Sequence, residues 1–235
     1  MRAFFETMNA AAHKHLSERD PVMRRLIREH GPCELEPKDH RPPFQSLVLA
    51  VAHQQLNDMA ASTILKRFKK LFPNRSFPRP EDLAGVTDGQ IRACGFSFAK
   101  IKAIRDIAEK TLAGIVPTSR QIVKLSDDEI IARLTEVRGV GRWTVEMLLI
   151  FQLGRTDVLP ADDFGVRTGF RHAYQKRELP TVKELLAFGE RWRPHRTTAA
   201  WYLWQAANAA KQVVATPRRR KNAARRRGHN TSKKK

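Results

Sequence analysis

Two carboxylates stand side by side at Asp162 and Asp163, just past Pro160 and at the start of a helical pattern. One such group can cap a helix while the other serves as an anion in a reaction, steering a water or facing a developing positive charge. Adjacency alone leaves a second reading open, in which both are capping residues. Upstream lies Arg138-Gly139-Val140-Gly141, a glycine on either side of a valine, with Leu134 and Val137 before it and Val145, Leu148 and Leu149 after it. These apolar positions fit two amphipathic helices, and the four residues between them leave room only for a tight turn, so the stretch reads as a helix-hairpin-helix. Glycines at 139 and 141 can take positive φ and carry no Cβ, so a bulky anion such as a phosphate diester can approach the N–H groups that open the second helix. An ordinary αα-hairpin punctuated by glycine is the competing reading.

The elements that must position these groups are all helical. Helical patterns cover about residues 3–18, 21–30, 44–56, 58–72, 80–84, 87–93 and 97–112, then resume on both sides of the hairpin and at about 164–175, 181–190 and 196–214. Asp20-Pro21 is a helix start with a cap and a first-turn proline, and Ser126 to Glu129 is a capping box that opens the first hairpin helix. No alternating strand pattern and no fixed repeat occurs, so the expected class is all-α. The polar break Gln54-Gln55-Leu56-Asn57 separates two of the helices. It reads either as a solvated turn or as a loop that fills the gap left by an extruded base, amides bonding base edges and leucine replacing the stack. Ser97, Lys100 and Lys102 put a hydroxyl and two cations near another helix start, where either a backbone phosphate or plain solvent could meet them.

The net charge of +20 over 235 residues points to a polyanionic partner. Residues 218–235 supply +10 of it without a single acid, and the remainder keeps a surplus of its own. That tail, without apolar periodicity, is expected to be disordered and to add salt-sensitive affinity; a solubilising or targeting role is the alternative. No apolar run reaches the roughly 20 residues that span a bilayer, so no membrane partner is expected. Cys33 and Cys94 are too far apart for metal-ligand spacing, which argues against a zinc or iron–sulfur site.

GVGRWT followed by LPADDF resembles the hairpin and catalytic-aspartate segment of the helix-hairpin-helix DNA glycosylases of base excision repair, in their DNA-3-methyladenine glycosylase II (alkylpurine) branch. LVLAVAHQQLNDMAA at 47–61, GFSFAKIKAIRDIA at 95–108 and RWRPHRTTAAWYLW at 191–204 agree in the same order, and the similarity runs from roughly residue 20 to 210. The resemblance implies two intertwined helical subdomains within 1–217 flanking a cleft, a compact form without the β-rich N-terminal domain of the best-known bacterial members. It implies Asp163 as the catalytic anion, and a base pocket lined by Trp143, Met147, Phe164 and Trp204. DNA contacts would come from Gln54, Gln55, Leu56, Asn57, Ser97, Lys100, Gly139, Val140, Gly141, Arg142 and Thr144. Asp162 is then the better candidate for capping or packing, and Trp201 for core packing. Met147 and Phe164 depart from the tyrosines of those bacterial members, so no phenol contact to the base is expected.

Lyase relatives carry a Schiff-base lysine where this chain has Trp143. Water is therefore the expected nucleophile and an abasic site the expected product. The resemblance implies no organic cofactor and no catalytic metal, although hairpins of the family can hold a monovalent cation. A monomer acting on double-stranded DNA with alkylated purines is the expectation, cytoplasmic and nucleoid-associated, or nuclear in a eukaryote. A glycosylase for oxidised or deaminated bases and a noncatalytic helix-hairpin-helix DNA-binding protein are the rivals.

Overall fold

The computed structural model describes residues 2–37 and 41–215, with side chains over 9–37 and 41–212. The tail at 218–235, expected to be disordered, lies outside the described residues. The helices in chain order are α1 (Arg2–Arg19), α2 (Pro21–His30), α3 (Pro43–His53), α4 (Asp58–Lys70), α5 (Asp88–Ala93), α6 (Phe98–Leu112), α7 (Ser119–Ile122), α8 (Asp127–Thr135), α9 (Arg142–Phe151), α10 (Phe164–Ala173), α11 (Val182–Gly189) and α12 (Arg196–Ala215). Two 3-10 turns, Glu81–Gly85 and Glu190–Trp192, complete the set, and no strand occurs among the described residues. The all-α expectation holds. None of these helices is long and apolar enough to cross a membrane.

Local chemistry explains where the helices begin. Ser126, Thr87, Thr118 and Thr181 each accept a hydrogen bond from the N–H three residues on, while the side-chain oxygens of Glu129, Gln90, Gln121 and Glu184 accept one from the cap's own backbone N–H. These reciprocal boxes satisfy two otherwise orphaned donors at each start. In Glu129 and Glu184 the same hydrogen bonds from the capping residue hold the carboxyl below the usual carboxylate range.

The chain divides into two compact units, one running up to Glu36 and resuming at Thr156, the other Pro37–Arg155. The first is built on α1, α2, α10, α11 and α12 around Leu16, Met23, Phe170, Leu185, Trp192, Tyr202 and Leu203. Its polar centre is Asp20, 2% exposed, which caps α2 through Val22 N and Met23 N and accepts from Tyr174 Oη at 2.5 Å and Trp192 Nε1 at 2.9 Å. A carboxylate so deep in the interior is tolerated because several donors meet it. The burial that surrounds it, together with the hydrogen bond to Asp20, drives the Tyr174 hydroxyl strongly upward.

The second unit packs α3, α4 and α6 through Leu47, Val51, Phe68, Ile101, Ile104 and Ile107, all at most 1% exposed. Helices α8 and α9 add Ile130, Leu134, Val145 and Leu149, each fully buried. The α9 sequence keeps its apolar stripe inward while its first turn, Gly141 to Trp143, stays exposed.

Candidate active site

Asp163 is the N-cap of α10. Its Oδ1 accepts from Val166 N at 2.8 Å and from the indole Nε1 of Trp204 at 2.8 Å. Two donors from different helices converge on one oxygen, which fixes the carboxylate's rotamer, and an anion at a helix N-terminus is favourably placed. Asp162, the better candidate for capping or packing, does not cap the helix. It is exposed, 3.8 Å from Arg167 Nη1, a separation at which a surface ion pair contributes little. Capping and clamping thus fall on the same aspartate, because backbone geometry at the helix start decides the cap and sequence adjacency does not reveal it.

Two glycines make this clamp sterically possible. At Gly169 a Cβ would lie 1.8 Å from Leu203 O, so α10 and α12 touch backbone to backbone. One turn earlier, a Cβ on Gly165 would sit 2.9 Å from Trp204 Cδ1 and 3.0 Å from Asp163 Oδ1. Gly165 was not among the sequence-derived candidates; its signal is the Gly-x-x-x-Gly spacing on one helix face, directly after the aspartate. Phe164, at 67% exposure, projects from the same helix start, whereas Trp204 is half-buried against the core. Trp201 is also half-buried and packs on that core, edge-on to Tyr202.

In the Pro37–Arg155 unit the hairpin between α8 and α9 takes the expected form with one difference. Gly139 has φ +77°, a left-handed conformation, but Gly141 has φ −89° and is the N-cap of α9 in extended geometry. Only the first glycine is needed for the turn. A Cβ at Gly141 would meet nothing within 4 Å, so its face is open, while one at Gly139 would meet Ala103 Cβ at 3.2 Å. Val140 is buried and plugs the turn. No side-chain hydrogen bond caps α9, whose N-cap is Gly141. Arg142, exposed at the same end, is tethered by Nε to the buried carboxylate of Glu146 at 2.9 Å.

Residues 48–194, more than half of the chain, match the family described as HhH-GPD superfamily base excision DNA repair protein. The chain belongs to this superfamily. This HhH-GPD chain is 43% identical over 200 residues to DNA-3-methyladenine glycosylase 1 of Schizosaccharomyces pombe, covering 85% of the chain and 88% of that relative. Among solved structures it resembles the S. pombe 3-methyladenine DNA glycosylase Mag1 in complex with abasic DNA, with a TM-score of 0.73 at 43% identity, covering 83% of this chain and 95% of that one. A DNA-3-methyladenine glycosidase from Bacillus halodurans gives a TM-score of 0.78 at 34% identity, covering 86% and 91%.

The remaining candidates of the HhH-GPD chain divide between exposed and inward positions. Trp143 is 46% exposed at the start of α9, Met147 is half-buried one turn on, and Thr144 is buried at 7%. Gln55 and Leu56 are exposed at the tip of the turn after α3. Asn57 is the N-cap of α4, accepting from Ala60 N at 2.9 Å. Ser97 is likewise the N-cap of α6. Lys100 folds back onto backbone carbonyls of that turn. Cys33 and Cys94 are buried thiols, and burial pushes Cys33 up to about 11, which makes it a poor nucleophile. No cluster of three metal-ligating side chains occurs among the described residues.

Proposed function

We propose that this protein is a monofunctional DNA glycosylase that hydrolyses the N-glycosidic bond of alkylated purines in double-stranded DNA. The reading is carried by the aspartate clamped between the α10 N-terminus and Trp204, in a chain whose relatives are named DNA-3-methyladenine glycosylases over most of its length.

Base release from C1′ develops positive charge on the sugar. Asp163 supplies the counter-charge and a site to orient water, and its clamp keeps it from collapsing onto the cation. An alkylated purine such as 3-methyladenine is itself cationic with a weakened glycosidic bond, so recognition rests on stacking and cation–π attraction more than on protonating the leaving group. The Trp204 indole suits that task, its N–H spent on Asp163 and its ring held against the core. On the DNA side, the open end of α9 receives a phosphate, and Gln55 and Leu56 enter the stack once the nucleotide is extruded. The protein acts as a monomer.

The test is direct. Methylated duplex DNA is incubated with the protein, and the released bases are identified by chromatography. Release of 3-methyladenine or 7-methylguanine supports the reading; binding without release assigns the chain to noncatalytic DNA binding.

A further inference from the structure

Lys100 reads from the sequence as a phosphate ligand at a helix start, yet its ammonium is spent elsewhere. Nζ donates to Ala52 O and to Gln54 O, both at 2.8 Å. These carbonyls end α3 and begin the Gln54 to Asn57 turn, so the cation caps a helix C-terminus, where carbonyl partial charge attracts it. The group is half-buried, and desolvation lowers its pKa, as expected for an amine turned inward. The next residue, Gln55, sits at φ +56°, a conformation that a non-glycine residue keeps only where its surroundings impose it.

The same turn is tied to the hairpin. Gln54 Nε2 donates to Gly139 O at 2.9 Å. The hairpin in turn rests on α6: Asp106 Oδ2 accepts from Arg138 N at 2.7 Å, Lys110 Nζ donates to Glu136 O, and Ala103 lies under Gly139. Lys100, Ala103, Asp106 and Lys110 follow one another at helical spacing along a single face of α6.

We propose that Lys100 is a positioning residue for base displacement, and that this face of α6 holds the 54–57 turn and the hairpin in one fixed register. The inference rests on the glycosylase reading above. Grip on the phosphate and entry of the turn into the stack then occur as one rigid-body event, with the turn ordered before DNA arrives. Lys100 acts through backbone carbonyls and touches neither base nor phosphate.

Lys100→Met tests this against the phosphate-ligand alternative, with a 7-methylguanine duplex carrying 2-aminopurine beside the lesion. Single-turnover excision and the fluorescence rise on unstacking are expected to fall together by about tenfold or more, the scale of losing a charge-assisted hydrogen bond. Affinity for undamaged duplex and its salt slope are expected to stay within about twofold, since phosphate contacts set both. Lys100→Arg, which can still donate to two carbonyls, is expected to recover most of the rate. In a Leu56→Ala background, Lys100→Met is expected to add little, because both changes act on the same turn. Should Lys100→Met fold poorly by circular dichroism, Lys100→Gln keeps an uncharged amide donor and carries the same measurements. A salt slope reduced by about one, with equal loss on lesion and undamaged DNA, makes Lys100 a phosphate ligand and overturns the proposal. Unchanged excision in the variant overturns it as well. Wild-type protein that releases no base defeats the glycosylase reading itself, before the variant is compared.

Discussion

The indole N–H of Trp204 points at Oδ1 of Asp163, 2.8 Å away, on the oxygen that also caps α10. The aromatic ring and the anion are therefore one unit, and substitutions at either position separate charge from geometry. Asp163→Asn keeps the shape and removes the charge. Excision is expected to fall by about two orders of magnitude or more, with duplex binding retained in a gel-shift assay. Trp204→Phe keeps an aromatic face but loses the donor, and an intermediate loss is expected. A mild Asp163→Asn beside a crippling Asp162→Asn would move the catalytic role by one residue.

Gly165→Ala places a methyl inside contact distance of both Trp204 and Asp163. The indole or the carboxylate must shift, so the single-turnover rate is expected to drop at least about tenfold, because sub-ångström positioning matters at a reacting centre. Gly169→Ala meets backbone instead and is expected to lower Tm by several degrees or prevent folding. Scanning calorimetry beside kinetics separates the two cases; a Gly165→Ala protein of full activity would show that the clamp tolerates displacement.

The two hairpin glycines are not equivalent. Gly139 occupies a left-handed conformation over Ala103, and Gly139→Ala is expected to cost about 1 kcal/mol or more of stability in urea titration. Gly141→Ala fits the fold, having ordinary φ and an open face, so any loss it causes reports on the DNA side. Affinity is expected to fall alike for lesion and undamaged duplex, since phosphate contacts carry no sequence information. A selective loss on lesion DNA would count against a phosphate-binding hairpin.

Asp20 offers a test of the fold away from the chemistry. Asp20→Ala removes the cap of α2 and strands the Tyr174 hydroxyl and the Trp192 indole N–H in the interior. A loss of about 3 kcal/mol or more is expected in denaturant titration, the sum of a lost cap and buried donors left unpaired.

Much of this was legible in the sequence, for identifiable reasons. The helical periods, the Asp20-Pro21 start and the Ser126 capping box are local signals, and the structure bears them out. The single-turn helix at Ser119–Ile122 was missed although Thr118 and Gln121 carry the same box; four residues are too few for periodicity to register. Helix α3 ends at His53, earlier than the pattern suggested: Gln54 turns to a ψ of 128°, and Lys100, 48 residues downstream of Ala52, donates to the Ala52 carbonyl. Such pairings leave no trace in spacing. The division of roles between Asp162 and Asp163 was equally hidden, since it depends on one pair of backbone angles and on an indole 41 residues away.

The monofunctional assignment turns on Trp143. Lyase chemistry needs an amine to attack C1′ and form a Schiff base, and an indole has no such nucleophile. Two lysines of α6 have other commitments, Lys100 to two carbonyls and Lys110 to Glu136 O and Asp106. The product strand is therefore expected to remain intact until heat or alkali opens the abasic site, as read on a denaturing gel with and without base treatment. Borohydride added during turnover is expected to trap no protein–DNA adduct. Trp143→Lys supplies the amine at the hairpin; an adduct confined to that variant would show that the site geometry suits a lyase and that the side chain alone withholds the second step. An adduct with the wild-type protein, lost on substitution of a single lysine in the described body, would transfer the protein to the lyase branch.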